Sequence, residues 1–174
     1  SMLIEFKVSN FRSIREEQTL SMVASRADKE HTNSLIVSEL PGMSNIKYLP
    51  CAAIYGHNAS GKTNILLAFK FISEFIKNSA TEIKPGDLTG VEPFKLDQDS
   101  INEPSKFEIS FVAKGVRYLF GLSLTQKRVI EEYLIAYPYG LPQKWYRRFY
   151  NSELKKYDWD KPSSYFRLEE SLRD

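Results

Sequence analysis

The sequence predicts an α/β fold, and three observations carry that expectation. Apolar residues alternate singly along several stretches, recur at spacings of three and four along one, and the change of period falls at a glycine-containing loop. The alternation opens the chain. Over residues 3–11, Ile4, Phe6 and Val8 alternate with Glu5, Lys7 and Ser9, the pattern of a half-buried strand. Residues 19–23 read as a second strand after a turn. Residues 24–48 are polar and loop-like apart from a short apolar run at Leu35, Ile36 and Val37, with a turn at Pro41-Gly42. Residues 51–55 form an apolar run without polar interruption, as in a strand covered on both faces. The period then changes. Ile65, Ala68, Phe69, Ile72, Phe75 and Ile76 mark an amphipathic helix that ends near Asn78.

Residues 79–105 are rich in turn signals, with Pro85-Gly86, Pro93 and Pro104 as punctuation. Alternation returns at Phe107, Ile109, Phe111 and Ala113, and Lys114-Gly115 reads as a hairpin turn. Residues 117–124, 129–137 and 144–150 continue as strands, so the antiparallel run is expected over roughly 107–159. The expected architecture is a mixed sheet that carries the helix, plus this antiparallel subsheet. Phe69, Phe71 and Phe75 point in different directions around the helix, which predicts that one sheet face cannot bury all three.

With 174 residues, the chain fits one ordinary domain. A net charge of +2 singles out no class of partner, and a single cysteine, Cys51, excludes a disulfide framework and suits a reducing cytoplasm. No apolar stretch is long enough to span a bilayer, and no basic, apolar leader opens the chain, so no membrane and no secretory route are expected. Ser1 ahead of Met2 reads as the remnant of a tag.

The stretch that carries chemistry is YGHNASGKTN, residues 55–64. Gly56, then four residues, then Gly61, Lys62 and Thr63 make the phosphate-binding P-loop pattern, between a strand signal and a helix signal as that motif requires. Glycines let the backbone turn its N–H groups toward phosphate oxygens, and the helix that follows adds its unpaired amides and dipole. Lys62 supplies a point charge for the β- and γ-phosphates, and the Thr63 hydroxyl suits Mg2+. A glycine-rich turn with a solvated lysine is the bland reading. At average residue frequencies, the pattern arises by chance in fewer than about 1 in 100 chains of this length. The predicted ligands are therefore ATP and Mg2+, with Gly56, His57, Asn58, Ala59, Ser60, Gly61, Lys62, Thr63 and Asn64 at the nucleotide and Thr63 at the metal.

The motif GHNASGKTN together with the opening FKVSNFRSI resembles the ABC-type P-loop ATPases of the RecF, SMC and OLD group, closest to RloA-like prokaryotic ATPases. The likeness extends through MLIEFKVSNFRSIREEQTLSM, CAAIYGHNASGKTNILLAF, PSKFEISFVAKGVRYLFGLSL and VIEEYLIAY. It implies that the opening strand runs close to the nucleotide, which adds Arg12 and Ser13 to the expected nucleotide-binding set. It also implies a parent ATPase that switches by nucleotide-driven pairing of two heads, as a homodimer, in prokaryotic phage defence or DNA transactions, where such heads gate an effector.

The departures from that pattern define a second expectation. No run of four apolar residues ends in Asp-Glu as a Walker B strand would. The nearest, Val129-Ile130-Glu131-Glu132, is short and lies in a hairpin position. No signature helix appears, and Gln98, Gln126 and Gln143 lack the context of a Q-loop. Residues 2–174 thus read as the N-terminal part of an ABC-type head, with the second lobe as a missing partner, no identified catalytic residue, and doubtful hydrolytic competence of its own. A binding-only module is the alternative; another is a nucleic-acid or protein adaptor with a vestigial P-loop.

Other candidates weigh less. His57 lies within the loop without a partner visible in sequence that would make it a general base. His31 reads as a solvated loop residue and Cys51 as a small buried filler. Arg12 is either a contact to phosphate or ribose or a strand-end arginine facing water. The stretch KWYRRFYN, within the aromatic and basic region 137–166, is either a stacking surface for nucleic acid or an ordinary half-buried strand, with Trp145, Arg147 and Phe149 on one face and Tyr146, Arg148 and Tyr150 on the other.

Overall fold

The computed structural model describes residues 2–21, 34–35, 52–55, 62–79 and 86–160. In chain order the elements are β1 (Met2–Ser9), β2 (Gln18–Ser21), β3 (Ser34–Leu35), β4 (Ala52–Tyr55), α1 (Lys62–Ser79), α2 (Gln98–Asn102), β5 (Ser105–Ala113), β6 (Val116–Leu124), β7 (Val129–Tyr137), β8 (Gln143–Asn151) and β9 (Lys156–Trp159).

Among the described residues, the strands form one sheet in the order β3-β4-β2-β1-β5-β6-β7-β8-β9, and every pairing in it is antiparallel. This corrects the expected mixed sheet, while the antiparallel run expected over roughly 107–159 is present as β5 to β9. Parallel neighbours need a crossover of a dozen or more residues, usually a helix. Here β5 to β9 are joined by short turns, and β1 pairs with β5 along its whole length, so the meander continues the sheet of β1, β2 and β4. The turn between β5 and β6 has the expected chemistry: Lys114 and Gly115 both adopt positive φ (50° and 77°), the requirement of a two-residue hairpin.

The helix α1 covers one face of this sheet. Ile65, Ala68, Phe69, Ile72 and Phe75 are buried, as their spacing predicts, and meet Phe6, Val8, Leu20 and Phe107 from the strands in one core. Each isoleucine and phenylalanine among them contributes about 1.5–3 kcal/mol on burial, so this stripe is what fixes α1 to the sheet. Phe69 meets Phe6 edge-on, with ring centroids 5.3 Å apart. As expected, one face does not fully bury all three helix phenylalanines: Phe69 and Phe75 are buried, while Phe71 is only partly buried. Phe71 is at the flank of the stripe, next to Phe75, and reaches Phe11 and Phe107, with ring centroids at 5.9 and 5.7 Å.

Two local differences have clear causes. A register shift in β1 between Leu3 and Glu5 inserts Ile4 as an extra residue against β5. Leu3, instead of Ile4, therefore joins Phe6 and Val8 in the core. Within the turn-rich 79–105 region, Asp97 caps α2, accepting from the Asp99 N–H at 3.0 Å and the Ser100 hydroxyl at 3.2 Å. On β6, Gly121 faces Tyr133 of β7, whose ring occupies the space a Cβ would need, and the Tyr133 hydroxyl donates to Glu108 at 2.7 Å.

Candidate functional site

Strand β4 ends at Tyr55 and α1 begins at Lys62, so the glycine-containing motif connects a strand to a helix. Residues 56–61, and with them Gly56, His57, Asn58, Ala59, Ser60 and Gly61, lie outside the described residues, as do His31 and Cys51. Lys62 opens the helix. Thr63 is exposed in the first turn and Asn64 is half-buried. That first turn carries no acidic side chain, so nothing there opposes an anion at its free amides.

The N-terminal strand reaches this helix end. Past β1 the chain reverses in a two-residue turn: the Phe11 N–H donates to the Ile14 carbonyl and the Ile14 N–H donates back, each at 2.8 Å, leaving Arg12 and Ser13 at the tip. The Asn64 amide donates to the Ser13 hydroxyl at 2.5 Å. The turn that bears Arg12 is therefore tied to the first turn of α1, within two residues of Lys62. Arg12 itself makes no bond to α1 among the described residues. It pairs side-on with Glu92, Nε to Oε2 at 3.1 Å and Nη2 to Oε1 at 3.4 Å, and its backbone N–H donates to the Glu92 carbonyl at 2.8 Å. The Arg12 hydrogen bond holds the Glu92 carboxyl below its ordinary value, against a small opposing effect of burial.

Asn10 anchors the turn from behind. Its amide donates to the carbonyls of Ser100 at 2.7 Å and Glu103 at 2.9 Å, its side-chain oxygen accepts from the Phe94 N–H at 3.0 Å, and its carbonyl accepts from the Ser105 hydroxyl. Asn10 and Arg12 both sit at positive φ, 53° and 51°. At such positions the left-handed backbone is uncommon for side-chain-bearing residues, and asparagine tolerates it best.

Gln18 begins β2, and the register Thr19 to Tyr55 sets it beside the strand end that feeds the motif. Its side-chain oxygen is buried without a hydrogen-bond partner among the described residues. The structure thus joins Ser13 to Asn64 and sets Arg12 beside them. Glu92, Asn10 and Gln18 were missed in the sequence. Glu92 stands in a turn-rich segment without periodicity, and nothing local distinguishes it.

The other sequence candidates fall elsewhere. Glu131 and Glu132 begin β7 and pair with Arg147 at 3.0 Å and Arg148 at 3.3 Å across to β8. The KWYRRFYN stretch is β8. Arg147 also binds Asp160 at 3.2 Å, Arg148 lies against the Tyr157 ring at 4.9 Å, and Tyr118 meets Trp145 at 5.2 Å. Arg147 is thus matched by two acids, whereas Arg148 lies near Glu132 and the Tyr157 ring with its buried Nε lacking a hydrogen bond among the described residues. Among the described residues, no three His, Cys, Asp or Glu gather as a metal cage, and no helix is long and apolar enough to cross a membrane. A magnesium ion held by a threonine hydroxyl and phosphate oxygens needs no such cage, and exposed Thr63 fits that role.

Residues 51–174 match the family described as "AAA domain, putative AbiEii toxin, Type IV TA system". No curated protein and no solved structure matches the chain. The match begins at the strand that leads into the motif and leaves out β1 and β2, although these strands bring Ser13 to α1. On a match covering most of its length, the chain belongs to this family of AAA domains, P-loop proteins of nucleotide-binding, ATPase-like function.

Proposed function

We propose that the chain binds Mg-ATP at the 56–63 motif, as the N-terminal lobe of an ABC-type ATPase head of the RecF, SMC and OLD group. The observation that carries the reading is the position of Gly56-x-x-x-x-Gly61-Lys62-Thr63 between the end of β4 and the start of α1, in a chain that belongs to the AAA-domain family. The likeness of FKVSNFRSI and GHNASGKTN to that ATPase group supports the finer assignment.

In this reading the loop amides and the open first turn of α1 hold the phosphates, Lys62 adds its charge at the β- and γ-phosphates, and Arg12 offers guanidinium donors from the turn that Ser13 ties to Asn64. Thr63 would hold Mg2+ through its hydroxyl, and the ion would offset the charge of the phosphates. The parent is an ATPase switch in phage defence or DNA transactions, paired as two heads and coupled to an effector. This chain binds nucleotide with negligible turnover, because Glu131 and Glu132, its nearest approach to a Walker B pair, are engaged by Arg147 and Arg148.

The test is a calorimetric ATP titration with and without Mg2+. Wild type should bind with magnesium dependence. Lys62→Ala should lose most affinity while keeping its circular-dichroism spectrum, and Thr63→Ala should lose the magnesium dependence. Equal affinity in wild type and Lys62→Ala sinks the proposal, and steady phosphate release that disappears in Lys62→Ala contradicts the claim of negligible turnover.

A further inference from the structure

The Arg12 and Glu92 pairing is more than a surface ion pair. A guanidinium has five N–H donors in a rigid plane. Glu92 takes the Nε and Nη2 side of that plane and leaves the Nη1 end without a hydrogen bond among the described residues. Glu92 holds the same residue a second time, through the backbone bond from the Arg12 N–H to its own carbonyl. The segment that carries Glu92 is in turn fixed to the turn's base: Asn10 accepts from Phe94 and donates to Ser100 and Glu103. On the other side, the tip is fixed to α1 through Ser13 and Asn64. The arginine is therefore held through both its side chain and its backbone, in a turn whose next residue is tied to the first turn of α1. A long side chain otherwise loses much rotamer freedom when it binds, and the carboxylate removes that cost beforehand.

We propose that Glu92 is a positioning residue for nucleotide binding: it grips Arg12 side-on so that the free edge of the guanidinium is presented to the phosphates of a nucleoside triphosphate at the 56–63 motif. This inference rests on the nucleotide reading above. It makes a prediction opposite to simple charge balance, under which removal of Glu92 would free the positive charge of Arg12 and tighten binding of an anion. Positioning requires that removal of Glu92 weaken it.

A double-mutant cycle read by Mg-ATP calorimetry on the whole chain separates the two. Glu92→Ala and Arg12→Ala should each weaken ATP binding, by about fivefold to tenfold as expected for the loss of an oriented, charge-assisted contact. The double variant should be no weaker than Arg12→Ala alone, since Glu92 acts only through Arg12. Glu92→Gln keeps an acceptor oxygen without the charge and should fall between wild type and Glu92→Ala. Both Glu92 and Arg12 are exposed, so melting temperatures should change little. Unchanged or tighter ATP binding in Glu92→Ala overturns the positioning role, as does an additive cycle. Lys62-dependent ATP binding in wild type keeps the nucleotide reading standing in either case. If wild type shows none, both readings fall.

Discussion

Asn10 holds a left-handed backbone conformation and spends almost all of its side chain on three separate backbone groups, Ser100 O, Glu103 O and Phe94 N. It is buried, so these bonds are not exchanged for water when it is replaced. Asn10→Ala should therefore cost about 2–3 kcal/mol, because it strands a buried N–H and two carbonyls as well as removing the bonds. Urea unfolding checks it, and a loss below about 0.5 kcal/mol, the range of an ordinary surface substitution, would show that the turn is held by other means. The strings NFRS and GKTN marked Arg12, Ser13 and Asn64 as candidates, and the fold joins two of them, Ser13 and Asn64. The sequence hid Glu92, which acquires its place from a pairing across the fold with Arg12, 80 residues apart. No local pattern encodes a long-range partner.

At the scale of elements, periodicity served where packing follows it. The α1 stripe and strands β5 to β8 stand close to where alternation puts them, because one side of each faces a single core. It failed where one residue breaks the period, as at Ile4 in β1, and where the helix is only a short capped turn, as in α2. The β8 and β9 end of the sheet adds charge pairing to the packing of Tyr146 and Tyr157 against the core. Asp160 accepts from Lys144 at 3.1 Å and Arg147 at 3.2 Å, and these bonds, Lys144 first, hold its carboxyl below the ordinary 3.8. A carboxyl lowered in the fold contributes stability above its unfolded value and loses it as pH falls through the folded one. Asp160→Asn should thus be less stable than wild type at neutral pH, with the difference closing in acid well below 3.8. Urea midpoints of both proteins across that range check it. A difference that persists in acid would mean that Asp160 acts by shape and not by charge.

At the scale of the whole molecule, the antiparallel sheet explains how a segment outside the family match reaches the start of α1. β1 lies between β2 and β5, at the centre of the sheet, and its end carries the Arg12 and Ser13 turn to the start of α1. The α/β class and the strand-to-helix position of the motif were legible because each follows from local pattern. The wholly antiparallel pairing was not, since strand order is set by which apolar faces meet, as β1 does with β5 across a hundred residues.

The central claim is that nucleotide binds where the Gly56–Thr63 motif, the first turn of α1 and the Arg12–Ser13 turn converge. Hydrogen exchange by mass spectrometry, with and without Mg-ATP, tests that placement most directly. Exchange should slow in peptides covering residues 56–66 and 10–15, stay unchanged in β8 and β9, and show no effect of nucleotide in Lys62→Ala. Protection centred on Gln143–Asn151 and Lys156–Trp159, or equal protection in Lys62→Ala, would contradict it.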